Sequence, residues 1–167
     1  MLFSNKTQYF TKTSQQTRFL GKRLAEFLKT QGPLSKGARI LVLQGRLGSG
    51  KTTFIQGLAQ GFGIKEAIVS PTFILMRKFK IKTRSGKTGK TKARFKYFYH
   101  IDCYRFKNSK DLAVLRLQDI FSDPKNVVAI EWAERIADIL PRDSFWLKFK
   151  LLGKNGRIIT IKHNVSK

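Results

Sequence analysis

An apolar run, a glycine-rich turn and an amphipathic stretch follow one another from Ala38 to Gly63, ARILVLQGRLGSGKTTFIQGLAQGFG. Ala38 to Leu43 is the kind of almost purely apolar segment that forms a strand covered on both faces. The turn after it, Gly45-Arg46-Leu47-Gly48-Ser49-Gly50-Lys51-Thr52, fits the spacing G-x-x-x-x-G-K-[ST] at every fixed position. Glycines let the backbone curl so that successive N–H groups converge on phosphate oxygens. The helix expected from Lys51 to Gln60, closed by Gly61 and Gly63, turns its positive dipole end to the same point. In such a loop the lysine reaches the β- and γ-phosphates and the Thr52 hydroxyl ligates Mg²⁺. Thr53 is assigned to the nucleotide with the rest of the loop.

Outward from this core, residues 14–31 carry Leu20, Leu24, Phe27 and Leu28 at helical spacing, with Ser14 as the expected N-cap and Gly32-Pro33 as the stop. Residues 68–82 hold a strand opening at Ser70-Pro71-Thr72, and 94–101 a second strand pairing with it. Asp102 lies just past its end. Residues 83–93 form a loop, and a short helix is expected at 109–118. Val127 to Ile130 is a second buried strand, running into Glu131, and 132–140 is helical up to Pro141. Residues 145–151 and 157–162 form a C-terminal β-hairpin over Asn155-Gly156. Strand and helix alternate, so the class is α/β. Residues 1–167 are expected to be one phosphate-loop domain: an NTPase-like central β-sheet flanked by helices, with residues 77–96 as an extended basic hairpin insertion.

Composition narrows the function. The 14 Phe, 4 Tyr and 2 Trp suffice for a core, which argues against disorder despite a net charge of +24. One cysteine, Cys103, excludes an intrachain disulfide framework and a cysteine-based zinc site. No apolar run reaches the about 18 residues of a membrane span, and the first ten residues lack a signal-peptide core; a soluble, cytoplasmic protein is expected. The charge itself, 34 Lys/Arg against 10 Asp/Glu, points to anionic partners. Nucleic acid, an anionic membrane surface and a lysine-rich coding bias all fit it.

Acids are scarce, which helps to find those that work. Asp102 and Glu131 each follow an apolar or aromatic strand, where open α/β sheets place functional groups. They are the candidates for placing a metal and orienting water.

The series GRLGSGKTTFIQGLAQGFG, Ser70-Pro71-Thr72-Phe73, His100-Ile101-Asp102-Cys103-Tyr104-Arg105 and Ile130-Glu131-Trp132-Ala133-Glu134-Arg135 resembles the TsaE (YjeE) family of bacterial ATPases. The likeness runs from about Ser14 to Ala137. It implies a part in making threonylcarbamoyladenosine at position 37 of tRNA, with ATP and Mg as cofactors and TsaD-like and TsaB-like proteins as partners. It further implies that Asp102 serves hydrolysis and Glu131 the metal. Trp132 matches a family tryptophan near the site, and the N-terminal segment at Thr13 with a basic residue of the last hairpin, Arg157, would hold the base. Thr72 is a candidate γ-phosphate sensor. His100 is read as structural.

Two departures stand out. Arg46 replaces the acid usual there, putting a cation beside the phosphates or pointing away from them. Residues 77–96 hold ten Lys/Arg and no acid, so this hairpin is a solvated arm, a tRNA contact, direct or within the complex, or a contact with an acidic partner protein. A small P-loop kinase and a basic RNA-binding module with a vestigial nucleotide site are the competing functions.

Overall fold

Along the strand before the phosphate loop, alternate side chains feed two cores. Leu41 and Leu43 enter one, Ile40 and Val42 the other, and all four are buried. A strand apolar on both faces belongs in the middle of a covered sheet, and there it lies. The computed structural model describes residues 6–31, 37–82, 94–106, 115–153 and 155–163. In chain order these give β1 (Lys6–Thr11), α1 (Ser14–Thr30), β2 (Arg39–Gln44), α2 (Lys51–Gly61), β3 (Met76–Lys80), β4 (Tyr97–Asp102), α3 (Leu117–Ser122), β5 (Asn126–Glu131), a 3₁₀ helix (Ala133–Ile139), β6 (Phe145–Leu152) and β7 (Gly156–His163). The seven strands form one sheet ordered β1-β7-β6-β2-β5-β4-β3. Its centre, β6-β2-β5-β4, is parallel, while β3 at one end and β7 and β1 at the other run antiparallel to their neighbours.

Helices α1 and α2 cover one face. Leu20, Leu24 and Leu28 of α1 meet Phe54, Ile55 and Leu58 of α2 over Leu41, Leu43, Phe98 and Phe145 from the strands. The two helices approach closely because glycines meet backbone. A Cβ at Gly57 would lie 1.8 Å from the Arg18 carbonyl oxygen, and one at Gly21 2.2 Å from that of Phe54. The other face holds Ile40, Val42, Ile101, Val128 and Ile130 beneath Leu117, Phe121, Ala133 and Ile136.

Several expectations are corrected. The N-cap of α1 is Thr13, not Ser14: Thr13 has extended dihedrals and its hydroxyl takes the Gln16 N–H, while Ser14 is already helical. The strand expected over 68–82 starts at Met76. Ser70 to Leu75 is a turn, tied by Leu75 N–H to Pro71 O and bent at Leu75 with φ 64°. Asp102 is the last residue of β4, not one beyond it. The helical stretch expected over 132–140 is a 3₁₀ helix, Ala133–Ile139, kinked at Ile136. The helix expected at 109–118 falls largely outside the described residues, and the described one is α3. The loop at 83–93 also lies outside them. The β3–β4 pairing and the final hairpin match expectation. Strand β1 was not expected at all.

Gly57 provides the test of the helix contact. By helix propensity alone, Gly57→Ala should stabilise by roughly 1 kcal/mol. With a backbone oxygen in the way, we expect instead a net loss of about 1–3 kcal/mol, read as a lowered urea midpoint.

Candidate functional site

Parallel register assembles the site. Leu43 pairs with Glu131 and Glu131 with Asp102, so the loop after β2 and the carboxylates ending β5 and β4 share one edge of the sheet. A cavity of about 330 Å³ opens there. It is lined by the loop from Leu47 to Thr53, by Ser70 and Thr72, and by Asp102, Tyr104, Glu131 and Trp132.

Gly50 takes φ 97°, a left-handed conformation that favours glycine, and passes the chain straight into α2 without a side-chain cap. The N-terminal N–H groups of α2 therefore remain available to an anion. Lys51 is 4% exposed. Its Nζ donates to the carbonyls of Gly45 (2.7 Å) and Arg46 (3.2 Å) and lies 4.4 Å from the Trp132 ring centroid. Burial lowers the Lys51 pKa, opposed by the charges of Glu131, Glu134 and Asp102. The Trp132 backbone is left-handed, φ 58°, a strain of about 1–3 kcal/mol for a non-glycine residue, and Tyr104 packs on its ring at 5.2 Å.

Both acids are buried and held. The Thr52 hydroxyl donates to Glu131 Oε1 at 2.8 Å, and the same oxygen lies 3.0 Å from Nε2 of the fully buried His100. Asp102 Oδ2 accepts from Ser70 (2.6 Å) and Thr72 (2.7 Å), and Oδ1 accepts from the Tyr104 N–H (2.9 Å). A hydroxyl beside a carboxylate, with a second carboxylate on the adjacent strand, is the hard oxygen set that suits Mg²⁺.

Other expected site residues are placed differently. Arg46 is exposed and its side chain does not line the cavity; its carbonyl serves Lys51 instead. Gly45 likewise contributes a carbonyl. Thr13 caps α1 and is outside the cavity lining. Arg157 also lies outside it, yet its Nε would be 2.8 Å from a Cβ on Gly50, so its side chain lies across the loop. The Arg157 Nε and the Ser49 Oγ are buried without a hydrogen-bond partner among the described residues, and a loop that receives anions leaves such groups to be satisfied by the anion. Sequence reasoning gave no site role to Ser70 or Tyr104. The two-residue step from Asp102 to the Tyr104 N–H is an Asx turn, a signal visible in principle.

Sheet, loop and paired acids are those of a phosphate-loop nucleotide-binding protein. Comparison with known proteins sharpens that class. Residues 11–159 match the model of the family described as "Threonylcarbamoyl adenosine biosynthesis protein TsaE", and the chain belongs to that family. It is 35% identical over 130 residues to the tRNA threonylcarbamoyladenosine biosynthesis protein TsaE of Treponema pallidum, covering 78% of this chain and 86% of that one. With the protein of the same name from Bacillus subtilis it shares 31% identity over 151 residues, 90% of this chain and 81% of the relative. The crystal structure of Bacillus subtilis YdiB superposes with a TM-score of 0.71 at 26% identity, covering 97% of this chain and 87% of that one. Among the described residues, no helix is long and apolar enough to cross a membrane.

Cys103 follows Asp102 and is fully buried; burial first, then the neighbouring Asp102 and Glu134, pushes its thiol up to about 12. A thiol reagent at pH 8 should leave it unmodified in the native protein and label it fully in denaturant, because the thiolate is the nucleophile. Fast native labelling would show that the strand end beside the cavity opens.

Proposed function

We propose that this chain binds ATP with Mg²⁺ at the phosphate loop, hydrolyses it, and through that cycle serves threonylcarbamoyladenosine synthesis on tRNA. The carrying observation is the 2.8 Å hydrogen bond between Thr52 and Glu131, two residues 79 apart in sequence that meet at the start of the loop helix. Thr52 and Glu131 would hold the metal, which when bound neutralises charge on the transferring phosphoryl group. Lys51 adds a point charge to the phosphates, relieved of its loop carbonyls by them. Asp102, its orientation fixed by three donors, orients the attacking water. Thr72, on the same carboxylate, carries the γ-phosphate contact to Asp102. Thr13 and Arg157 are assigned to the base side of the nucleotide.

The proposed protein partners are TsaD-like and TsaB-like chains. Leu47 lines the cavity and is 84% exposed, while Phe73 and Ile74, next to Thr72, are 80% and 62% exposed. An exposed apolar rim around a polar cavity is a protein-docking feature, and Arg105 stacked on Phe73 at 4.4 Å holds part of it in place. On this reading tRNA is met within that complex or on the cationic β3–β4 strands.

Calorimetry and phosphate release test the site. Lys51→Ala should abolish ATP binding. Thr52→Ala should keep binding and lose Mg²⁺-dependent hydrolysis. Glu131→Gln and Asp102→Asn should bind nucleotide yet release phosphate at least about tenfold more slowly, since phosphoryl transfer depends on metal and water placement. Unchanged affinity in Lys51→Ala, or near-normal rates in both amide variants, would sink the assignment.

A further inference from the structure

Strands β6, β7 and β1 form an antiparallel ribbon at one end of the sheet. Their register sets three rows across it: Trp146, Lys162 and Lys6; then Lys148, Thr160 and Gln8; then Lys150, Ile158 and Phe10. Direct cross-strand partners share a face. The alternate residues Leu147, Phe149, Ile159, Ile161 and Tyr9 pack into the core under α1 and α2, so the three rows point the other way. Of these rows, only Trp146 packs against the second core. All four lysines of the rows are exposed, and Phe10 is 52% exposed.

Between this face and the end of the 3₁₀ helix runs a groove of about 750 Å³. Four of its ten lining residues are cations, Lys6, Arg142, Lys148 and Lys162, and none is acidic. In a chain so basic, cations alone identify little. Here they are interleaved with flat aromatic and amide or hydroxyl groups: Trp146, Gln44 and Thr160 in the groove, and Gln8 and Phe10 on the strand rows beside it. The Gln8 amide already donates to Thr160 Oγ1 at 3.3 Å, holding the middle row in order.

We propose that the β6–β7–β1 face is a platform for single-stranded RNA, with Lys6, Lys148, Lys150, Lys162 and Arg142 on the phosphates and Phe10 and Trp146 against the bases. Aromatic side chains on an open sheet face are where unpaired bases stack, and a lysine-lined groove tracks the backbone between them. An acidic protein would use the cations but leave the aromatic rows without a role. A concave groove also suits an extended strand better than a membrane surface. The proposal does not rest on the ATPase reading, since none of these residues lines the cavity at the phosphate loop.

The test is fluorescence anisotropy with a labelled oligouridylate of about twelve nucleotides, within the roughly 4–16 nucleotides that such sheet platforms engage. Salt would be varied from about 50 to 200 mM. Changing Lys6, Lys148 and Lys162 together to Ser should weaken binding at least about tenfold and lower the log–log salt slope by about 2, at roughly 0.7 per phosphate contact. Phe10→Ala should weaken binding about fivefold or more with the slope unchanged, the signature of lost stacking. A charge-matched variant off both this face and the β3–β4 strands, Lys22, Lys65 and Lys125 to Ser, all exposed, should change affinity less than about twofold at equal loss of net charge. All substituted side chains are exposed, so urea midpoints should match the parent. Equal losses in the two triple variants would reduce the effect to diffuse charge and overturn the platform. So would polyglutamate competing as well as RNA, or no binding at the lowest salt.

Discussion

Parallel pairing of β2, β5 and β4 is the constraint on which everything else rests. The loop after Gln44, the carboxylate of Glu131 and the carboxylate of Asp102 come from three distant parts of the chain, and only register brings them to one edge. A slip of one residue would turn every side chain of a strand to the opposite face. Both faces of these strands are apolar and covered, so a slip costs little in burial on the strand itself. The layers above it are what specify the register. Large side chains such as Phe98 and Phe54 on one face, and Phe121 and Ile136 on the other, fit only one alignment. The site is in this sense a by-product of packing that occurs away from it.

The electrostatics follow the same economy. With ten acids in the chain, two are spent at one buried edge, where a carboxylate is costly unless it is hydrogen-bonded. Asp102 has three donors and Glu131 a hydroxyl and an imidazole. Lys51 is buried against Trp132. A lysine kept from water by an indole face, with its ammonium on backbone carbonyls, is poised to exchange those carbonyls for stronger, charged acceptors.

Much of this was legible in the sequence, for definite reasons. The fixed spacing of the loop glycines, Lys51 and Thr52 leaves little freedom to the backbone, and an apolar run before it can only be an inner strand. The acids at strand ends stood out because acids are rare. Strand β1 was not legible because its inward residues, Thr7, Tyr9 and Thr11, are polar or amphipathic. Its stability comes from pairing with β7, some 150 residues away. The cap of α1 was misplaced by one residue because Thr13 and Ser14 have the same chemistry and only backbone dihedrals separate them. The turn at Ser70-Pro71-Thr72 carried no periodicity of its own; its shape is set by Asp102, which gathers both hydroxyls. The exposed face of the final hairpin was hidden by the conspicuous charge of residues 77–96, since alternation shows which residues leave the core but not what they gather beside.

The sheet is open, not closed into a barrel, and among the described residues β1 and β3 each have one partner strand. A strand paired on one side presents unused N–H and C=O groups, a template on which a second copy can add itself. Here β3 carries cations along its length, Arg77, Lys78 and Lys80, and β1 is flanked by them, with Lys6 at its start and Lys12 just past its end. Two copies meeting edge to edge would bring these like charges close together. The basicity that invites anions therefore also keeps the molecules apart, so its solubility is coupled to its ligands. A saturating polyanion that neutralises these cations removes the guard from both ends of the sheet at once.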